Sequence, residues 1–269
     1  MAGSHYAATN KLASGTVTAP GGTATGYAIA NVYALRPSLT WKSSVTTANQ
    51  RINIDHGSAT TANFAALLNH NFPLGSTVLV QSHTSAPPTS GAWAGAADEA
   101  TFTIRAKDMW VALTSSSKRY RSFYLQNDGT ADWTTGGAPK MGEAILADSV
   151  QLTRQFVVGA PFAKQQRNIT HVTPSGMAWM VHSTNNRTWA VSYADVLESE
   201  RAEVETMHDA TAGAAKPFTW VPDPDSGTAA VAARVYYVRV GDVLDWTDDF
   251  NDSGLGLNLT ELPVEISLT

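Results

Sequence analysis

Two acid–histidine pairs, Asp55-His56 and His208-Asp209, are the first candidates for chemistry in this sequence. Carboxylates and imidazoles bind metals and exchange protons, but a site needs several of them on one face at fixed offsets. Adjacent residues on a strand point to opposite faces, so an adjacent pair by itself does not form such a set. We therefore interpret both pairs as surface or turn residues. We assign no catalytic, metal-binding or cofactor-binding residue to the chain.

An acidic run between Asp242 and Asp252 could attract calcium, because carboxylate oxygens are preferred ligands of this cation. The run lacks the glycine and the terminal glutamate at the offsets of an EF-hand loop. The sequence leaves three alternatives here: a cation site, a solvated acidic loop, or a surface that complements a basic partner.

Motifs for nucleophilic catalysis and phosphate binding are absent from the sequence. It contains no Gly-x-Ser-x-Gly, no phosphate-binding loop and no Gly-x-Gly-x-x-Gly, and Ser115–Lys118 fits Ser-x-x-Lys only within a serine-rich segment. A glycosidase could use two carboxylates that folding brings together. Only seven acidic residues precede Asp148, however, and we predict that the protein is not an enzyme.

Several histidine and aromatic residues could contact a ligand. His70 lies between two asparagines, and we interpret it as a turn residue whose ring hydrogen-bonds the backbone. Four tryptophans occur in strand patterns and are predicted to pack in the core: Trp41, Trp110, Trp179 and Trp189.

The composition suits β-sheets and argues against several functional classes. Of the 269 residues, 43% are hydrophobic, enough for real cores, and only 15% are charged. Residues 1–147 contain ten basic and seven acidic residues, whereas the remaining residues contain eight and sixteen. This asymmetry suggests two units and does not favour nucleic-acid binding. There is no cysteine, so disulfides and cysteine-bound zinc are impossible.

The N-terminal segment and the apolar runs give no sign of a membrane. No apolar run approaches the roughly 18 residues of a membrane span. The first residues lack the basic and apolar regions of a signal peptide. Residues 1–26 are small, polar and glycine-rich, and this composition predicts a flexible arm without a core of its own.

Strand patterns fill most of the region after the arm. Apolar residues from Ile29 to Leu35 predict a strand, and Ile52 and Ile54 alternate with polar residues as in a strand with one buried face. Phe64–Leu68 is bounded by turn residues and is too short for a stable helix. We expect it to pair with the strand at Val78–Val80 across the intervening turn.

One helix is predicted, over residues 198–210. Glutamates lie near its N-terminus, where they complement the helix dipole, and Ser199 could cap it. An apolar stripe faces the core, and Gly213 ends the helix. The stripe consists of Leu197, Val204, Met207 and Thr211.

From roughly Ala34 onward, the chain resembles structural proteins of phage tails. Residues 27–147 are similar to the discoidin-like, or galactose-binding-like, β-sandwich. The resemblance rests on Arg36-Pro37, Trp41–Ser43, Ala62–Asn71, Gly75–Val78, Tyr120–Leu125 and Gly142–Leu146. Residues 148–269 are similar to the β-rich domains of tail-tip and baseplate proteins. Here the matching residues are Trp189–Tyr193, Pro217-Phe218, Tyr236–Arg239 and Glu261-Leu262.

The resemblance implies a mainly β fold, with a discoidin-like jelly-roll sandwich followed by a second β-rich domain containing one short helix. It implies a non-enzymatic virion protein of a tail tip or baseplate, made in the bacterial cytoplasm. Such a protein forms a symmetric ring with copies of itself and contacts neighbouring tail proteins. Strand edges and the N-terminal arm would make these contacts, without nucleic acid, membrane or cofactor.

A carbohydrate-binding adhesion module that contacts host surface glycans is the alternative function. Discoidin-like modules that bind sugars present polar and aromatic loop residues at one end of the sandwich. Trp93, His83 and the loop Asp128–Trp133 are the candidates for this role. A glycan-degrading enzyme is a third alternative and has the least support.

Overall fold

The computed structural model describes a mainly β protein and confirms the predicted fold class. It describes residues 3–46, 49–89, 93–114, 116–126, 137–153, 162–172, 178–212, 215–222, 235–241, 245–249 and 252–262. Within these ranges, the side chains of Phe162 and of residues 164–172, 178–186, 245–249 and 252–253 are not described.

Short strands make up the first half of the chain. In chain order they are β1 (His5–Ala7), β2 (Thr16–Thr18), β3 (Trp41–Lys42), β4 (Gln50–Thr60), β5 (Phe64–Leu68), β6 (Thr77–His83), β7 (Ala97–Thr103), β8 (Met109–Ala112), β9 (Lys118–Leu125), β10 (Lys140–Met141) and β11 (Glu143–Ala147).

The described residues of the second half form longer strands and one α-helix. Its elements are β12 (Val150–Gln151), β13 (Phe162–Val172), β14 (Ala178–Tyr193), α1 (Glu198–Ala210), β15 (Phe218–Val221), β16 (Tyr236–Val240), β17 (Asp245–Asp249) and β18 (Asp252–Glu261). No helix within the described ranges is long and apolar enough to cross a membrane.

Two antiparallel sheets form the sandwich. The larger sheet has the strand order β2-β4-β9-β6-β7, and the smaller has the order β11-β5-β8. Apolar residues from both sheets meet in one core, in which Ile54, Phe123 and Leu67 are fully buried. Since strand side chains alternate, the larger sheet keeps its other face for polar residues.

The predicted pairing of Phe64–Leu68 with Val78–Val80 is wrong. β5 pairs with β8 and β11, whereas β6 pairs with β7 and β9 in the opposite sheet. The turn between β5 and β6 carries the chain across the sandwich. Both strands therefore contribute apolar residues to the same core without sharing a hydrogen bond ladder.

The smaller sheet is the middle of three layers. On β5, Ala65 and Leu67 face the sandwich core, whereas Phe64 and Leu68 belong to a second cluster with Tyr237 of β16. Burial on both faces explains why this strand is a continuous apolar run with no alternation. The sandwich and the second half of the chain are thus packed together through this sheet.

The second sheet has the order β12-β1-β15-β16-β18-β14-β13, with β17 paired to β18. The N-terminal strand β1 lies between β12 and β15, although the predicted boundary at residue 147 falls between β11 and β12. Residues 3–26 are therefore not a separate flexible arm, and this prediction is corrected. Their few large apolar residues, Tyr6, Leu12 and Val17, are all buried in the two cores.

The helix α1 spans the predicted residues 198–210, but its start differs from the prediction. Ser199 is inside the first turn and does not cap the helix. Glu200 does so instead, because its Oε2 accepts a hydrogen bond from the Leu197 N–H over 3.0 Å. Leu197 is 53% exposed and leaves the apolar stripe, whereas Val204 and Met207 are buried. Gly213 lies outside the described residues.

Two further segments differ from their predicted structure. Ile29–Tyr33 is a 3-10 helix and not a strand, because apolar residues three or four positions apart also fit one helical turn. Within the acidic run, Asp245–Asp249 is a strand paired with β18, so this part is not a loop. Residues 242–244 and 250–251 lie outside the description, so the cation site stays one of the open alternatives there.

Candidate functional site

His70 is a structural residue of the turn after β5. Its buried ring stacks on Phe72 at a centroid distance of 4.6 Å, and its Nδ1 accepts a hydrogen bond from the Phe72 N–H over 3.2 Å. Burial lowers the pKa of His70 to about 4, so its ring is neutral at pH 7. The preceding Asn69 adopts a left-handed conformation with φ of 52°. The interpretation of His70 as a turn residue is confirmed.

Among the described residues, the two acid–histidine pairs form no cluster with other possible metal ligands. Both carboxylate oxygens of Asp55 accept hydrogen bonds from Arg119, at 2.8 and 3.0 Å, and this contact lowers the pKa of Asp55. Burial lowers the pKa of His56 to about 4. His208 lies in the last turn of α1. In the described part of the chain, no group of three or more His, Asp or Glu side chains could hold a metal ion.

The tryptophans mainly serve packing. Trp41 is fully buried in the sandwich core. Trp110 packs against the cluster between the layers, and the ring centroid of Trp189 lies 5.3 Å from that of Trp220. The side chain of Trp179 is outside the described set. For the three that are described, the predicted packing role is confirmed.

Two of the candidate sugar-contacting residues lie together. His83 is the last residue of β6, and its ring centroid is 5.8 Å from that of Trp93. Trp93 is buried, and its Nε1 has no hydrogen-bond partner among the described residues. The third candidate, Asp128–Trp133, falls outside the described residues.

The outer face of the larger sandwich sheet aligns polar side chains in two rows. The first row crosses four strands and contains Thr16, Asp55, Tyr120 and His83. The second row contains Thr18, Asn53, Ser122, Gln81 and Asp98. Members of a row are opposite one another in the strand register and therefore share the face that points away from the core.

Of these two rows, only His83 was predicted from sequence as a sugar contact, and Asp55 was considered only in its pair with His56 and interpreted as a surface residue. A sequence signal for the row members on β4 is the alternation of polar residues with the buried Ile52 and Ile54. Arg51 and Asn53, on the outer face, are also buried, at 3% and 6% exposure. Burial of polar side chains on an outer face indicates that something covers that face, and sequence does not show this.

A hydrogen-bond network links three members of the second row, Ser122, Gln81 and Asp98. Arg51 Nη1 donates to Gln81 Oε1 over 2.9 Å and to Ser122 Oγ over 3.2 Å. Gln81 Nε2 in turn donates to Asp98 Oδ1 over 2.8 Å. The Arg51 guanidinium lies 3.9 Å from the ring centroid of Tyr124. Because each side chain is held by its neighbours, this part of the face is a rigid floor.

A cavity of about 260 Å³ lies over the end of the two rows that β2, β4 and β9 provide. Its lining consists of Thr16, Thr18, Pro20, Asn53, Ile54, Asp55, Ala86, Pro87, Thr89 and Tyr120. Asn53 Nδ2 donates to the carbonyl oxygen of Pro88 over 3.2 Å, which ties the covering loop to the sheet. Asn53 Oδ1 is buried and has no partner within the described residues. We call this cavity the sheet cavity.

The lining of the sheet cavity suits a compact ligand that is rich in hydroxyl groups. Threonine hydroxyls and an asparagine amide both donate and accept hydrogen bonds. Tyr120 supplies aromatic surface, with the Arg119 guanidinium 4.8 Å from its ring centroid. The volume is close to the lower limit of roughly 300 Å³ for small-molecule sites, so one small ligand unit fits.

Comparisons with known proteins concern the fold. The sequence matches no protein-family model and no curated protein sequence. Among solved structures, chitosan-binding module 1 of a chitosanase/glucanase from Paenibacillus sp. IK-5 is 18% identical. The match covers 51% of this chain and 98% of that chain, with a TM-score of 0.41. CBM32-1 from a family 31 glycoside hydrolase of Clostridium perfringens is 11% identical over 52% of this chain and 99% of that chain, with a TM-score of 0.42.

A third structure belongs to a larger enzyme. A Ruminococcus gnavus GH29 fucosidase in complex with fucose is 16% identical, with a TM-score of 0.41. The match covers 52% of this chain but only 27% of that chain. Likenesses at this level assign no ligand, and the case for a binding site rests on the sheet cavity itself.

Proposed function

We propose that this chain is a non-enzymatic carbohydrate-binding protein whose ligand occupies the sheet cavity. The alignment of Thr16, Asp55 and Tyr120 across three neighbouring strands carries this proposal. Sugars present hydroxyl groups, which need donors and acceptors together, and C–H surfaces, which pack against aromatic rings. The sheet cavity offers both on strands, which hold side chains more firmly than loops do.

Binding without hydrolysis fits the carboxylates of the sheet cavity. Hydrolysis of a glycosidic bond usually requires two carboxyl groups separated by about 5–9.5 Å. Asp55 is the one carboxylate in the described lining. Arg119 holds the pKa of Asp55 below its usual value, so this residue stays ionised and cannot serve as a general acid near neutral pH.

A glycan microarray probed with the purified wild-type protein and two cavity variants tests this proposal. Tyr120→Ala removes the aromatic wall, and we expect about tenfold weaker binding because a packed ring contributes about 1 kcal/mol or more. Thr18→Val removes a hydroxyl group at nearly constant volume and should also weaken binding.

Tyr27→Ala is the matched control for the tyrosine substitution. Tyr27 is 38% exposed and does not line the sheet cavity. This variant should keep wild-type binding, and circular dichroism should show that all three variants are folded. Wild-type protein that binds no glycan, or equal losses in Tyr27→Ala and Tyr120→Ala, would contradict the proposal.

The second candidate function is assembly into a phage-type tail tip or baseplate, in the virion. The specific observation in its favour is the length of β13 and β14. These two strands pair with each other well beyond residues 188–193 of β14, the part that pairs with β18. This candidate expects a symmetric ring, such as a trimer or hexamer, in contact with other tail proteins. Its test is the mass in solution: a ring-sized oligomer supports it, and a monomer at every concentration opposes it.

A further inference from the structure

Four segments of the chain meet at one end of the sandwich, where β5 ends and β6 begins. The turn between these two strands binds the other three segments through hydrogen bonds. Asn69 Nδ2 donates to the Pro37 carbonyl oxygen over 2.7 Å. The N–H groups of Asn71 and Gly75 donate over 3.1 and 2.8 Å to the carbonyl oxygens of Lys140 and Ile104. We call residues 34–42, 69–76, 104–108 and 137–142 the basic end.

Positive charge is concentrated at the basic end. Its segments contain five of the ten basic residues of residues 1–147: Arg36, Lys42, Arg105, Lys107 and Lys140. Their one acidic residue is Asp108, whose Oδ1 accepts a hydrogen bond from the Asn69 N–H over 2.7 Å. Glu143, which directly follows the last segment, is fully buried. The basic end is therefore positive, although the whole chain has a net charge of −5.

Two lysines of the basic end are directly opposite each other. The short strands β3 and β10 pair with Lys42 in register with Lys140. Like charges at opposite positions of a strand pair destabilise that pair. An anionic partner beside the two lysines would offset their repulsion. The pair therefore indicates a surface that meets negative charge.

Large apolar side chains are exposed at the same end. Four such side chains are exposed among the described residues, and three of them lie in or beside the basic end. Leu74 is 73% exposed and Leu39 is 45% exposed, whereas the ring centroid of Tyr27 lies 5.6 Å from Lys42 Nζ. A hydrophilic polyanion gains nothing from exposed leucines. An anionic lipid bilayer binds basic side chains at its headgroups and takes up apolar side chains just below them.

We propose that the basic end contacts the surface of a lipid bilayer that contains anionic lipids. Leu74 and Leu39 enter the boundary between headgroups and acyl chains, and the basic residues lie against the lipid phosphates. The sequence predicts no membrane partner because its apolar runs are too short to span a bilayer. Contact with the surface of a bilayer needs no spanning segment. The proposal is independent of the sheet cavity.

Co-sedimentation with vesicles of phosphatidylcholine containing about 30% phosphatidylserine tests the contact. Wild-type protein should bind these vesicles at low salt, but neither at high salt nor when they are phosphatidylcholine alone. Lys140→Glu should weaken binding about tenfold or more, since one basic residue near an anionic surface contributes about fivefold. This variant replaces the repulsion with Lys42 by an attraction, so its melting temperature should not fall. Leu74→Ser should weaken binding about fivefold or more, because apolar surface no longer leaves water.

Lys118→Glu and Leu197→Ser are the matched controls. Lys118 begins β9, whereas the basic end lies beyond the other end of this strand, and Leu197 is 53% exposed beside α1. Both variants should bind vesicles like the wild type. Binding that is absent, that needs no anionic lipid, or that the controls lose equally would overturn the proposal. Unchanged binding of Leu74→Ser would also overturn it, because the basic end would then recognise a hydrophilic polyanion and not a bilayer.

Discussion

Arg121 and Glu99 form an ion pair inside the sandwich, with 2.9 Å between Nε and Oε2 and side-chain exposures of 0% and 2%. The remaining nitrogens of Arg121 donate to backbone carbonyl oxygens of Thr60, Ser116 and Lys118. The pair thus connects β9 to β7, to the end of β4 and to the loop segment before β9. A buried charge is tolerated only with such a complete set of partners.

Removing Glu99 should destabilise the protein strongly. Glu99→Ala leaves the guanidinium of Arg121 buried without its counter-charge, and we expect the free energy of unfolding to fall by about 3–5 kcal/mol. Asp55→Ala breaks the exposed pair with Arg119 and should lower the free energy of unfolding far less, because solvent screens this pair. Urea unfolding followed by tryptophan fluorescence measures both values. Equal losses in the two variants would contradict this account of the buried pair.

Glu143 should make stability depend on pH. It is fully buried, and burial raises its pKa from 4.5 to about 8. The folded protein therefore keeps a proton that the unfolded chain loses between these two pH values. Stability contributed by this group is complete below pH 4.5 and declines as the pH rises towards 8, at most by about 1.4 kcal/mol per pH unit.

Glu143→Gln removes this dependence while keeping an acceptor oxygen for the side chain of Asn10 and the N–H of Leu35. We expect the variant to gain stability relative to the wild type between pH 5 and pH 8. Guanidinium unfolding at several pH values measures the difference in the free energy of unfolding between the variant and the wild type. Glu205→Gln, at an exposed position of α1, should show no such trend. A stability difference between Glu143→Gln and the wild type that is the same at pH 5 and pH 8 would refute the prediction.

Gly142 allows close contact between two parts of the sandwich. A Cβ there would overlap the carbonyl oxygen of Pro37 and lie 2.8 Å from the carbonyl carbon and 3.0 Å from Asn69 Cβ. Gly142→Ala should therefore cost about 3 kcal/mol, since backbone must move. Gly241→Ala places a Cβ at an ordinary 3.5 Å from Asn258 Cβ and should cost less than about 1 kcal/mol. Thermal unfolding of both variants is the measurement, and a tolerated Gly142→Ala would argue against this packing.

Tyr6 anchors the N-terminal strand in the second sheet. Its side chain is fully buried, and its hydroxyl donates to the hydroxyl of Tyr193. Tyr6→Ala should lower the free energy of unfolding by about 3–5 kcal/mol, the usual range for a large buried aromatic residue. Tyr27→Ala removes a partly exposed ring and should have a small effect in the same denaturation assay. Equal effects would restore the view of residues 1–26 as an independent arm.

Local sequence patterns predicted elements well, but they did not predict which strands are neighbours. The helix over residues 198–210 was predictable because its acidic first turn and its apolar spacing are local, although Glu200 and not Ser199 caps it. Phe64–Leu68 was recognised as a strand, yet its neighbours β8 and β11 come from distant parts of the chain. An apolar run buried on both faces carries no information about register or about which sheet it joins.

Most residues of the candidate site could not be predicted from sequence for the same reason. Thr16, Asp55 and Tyr120 are far apart in sequence and become neighbours only through the pairing of β2, β4 and β9. His83 was identified because an aromatic or imidazole side chain in a loop-flanked position is conspicuous. The burial of Asn53 beneath the loop at Pro88 depends on tertiary packing, which the pattern of β4 does not reveal.

Isothermal titration of the best microarray glycan into wild-type protein, Tyr120→Ala and Tyr27→Ala tests the central claim most directly. The account predicts saturable binding to the wild type, one ligand per chain, and a Kd about tenfold higher for Tyr120→Ala because the aromatic wall of the sheet cavity is lost. Tyr27→Ala should bind like the wild type. A Kd that is the same for the wild type and Tyr120→Ala, or no binding of any glycan, would contradict a carbohydrate site in this cavity.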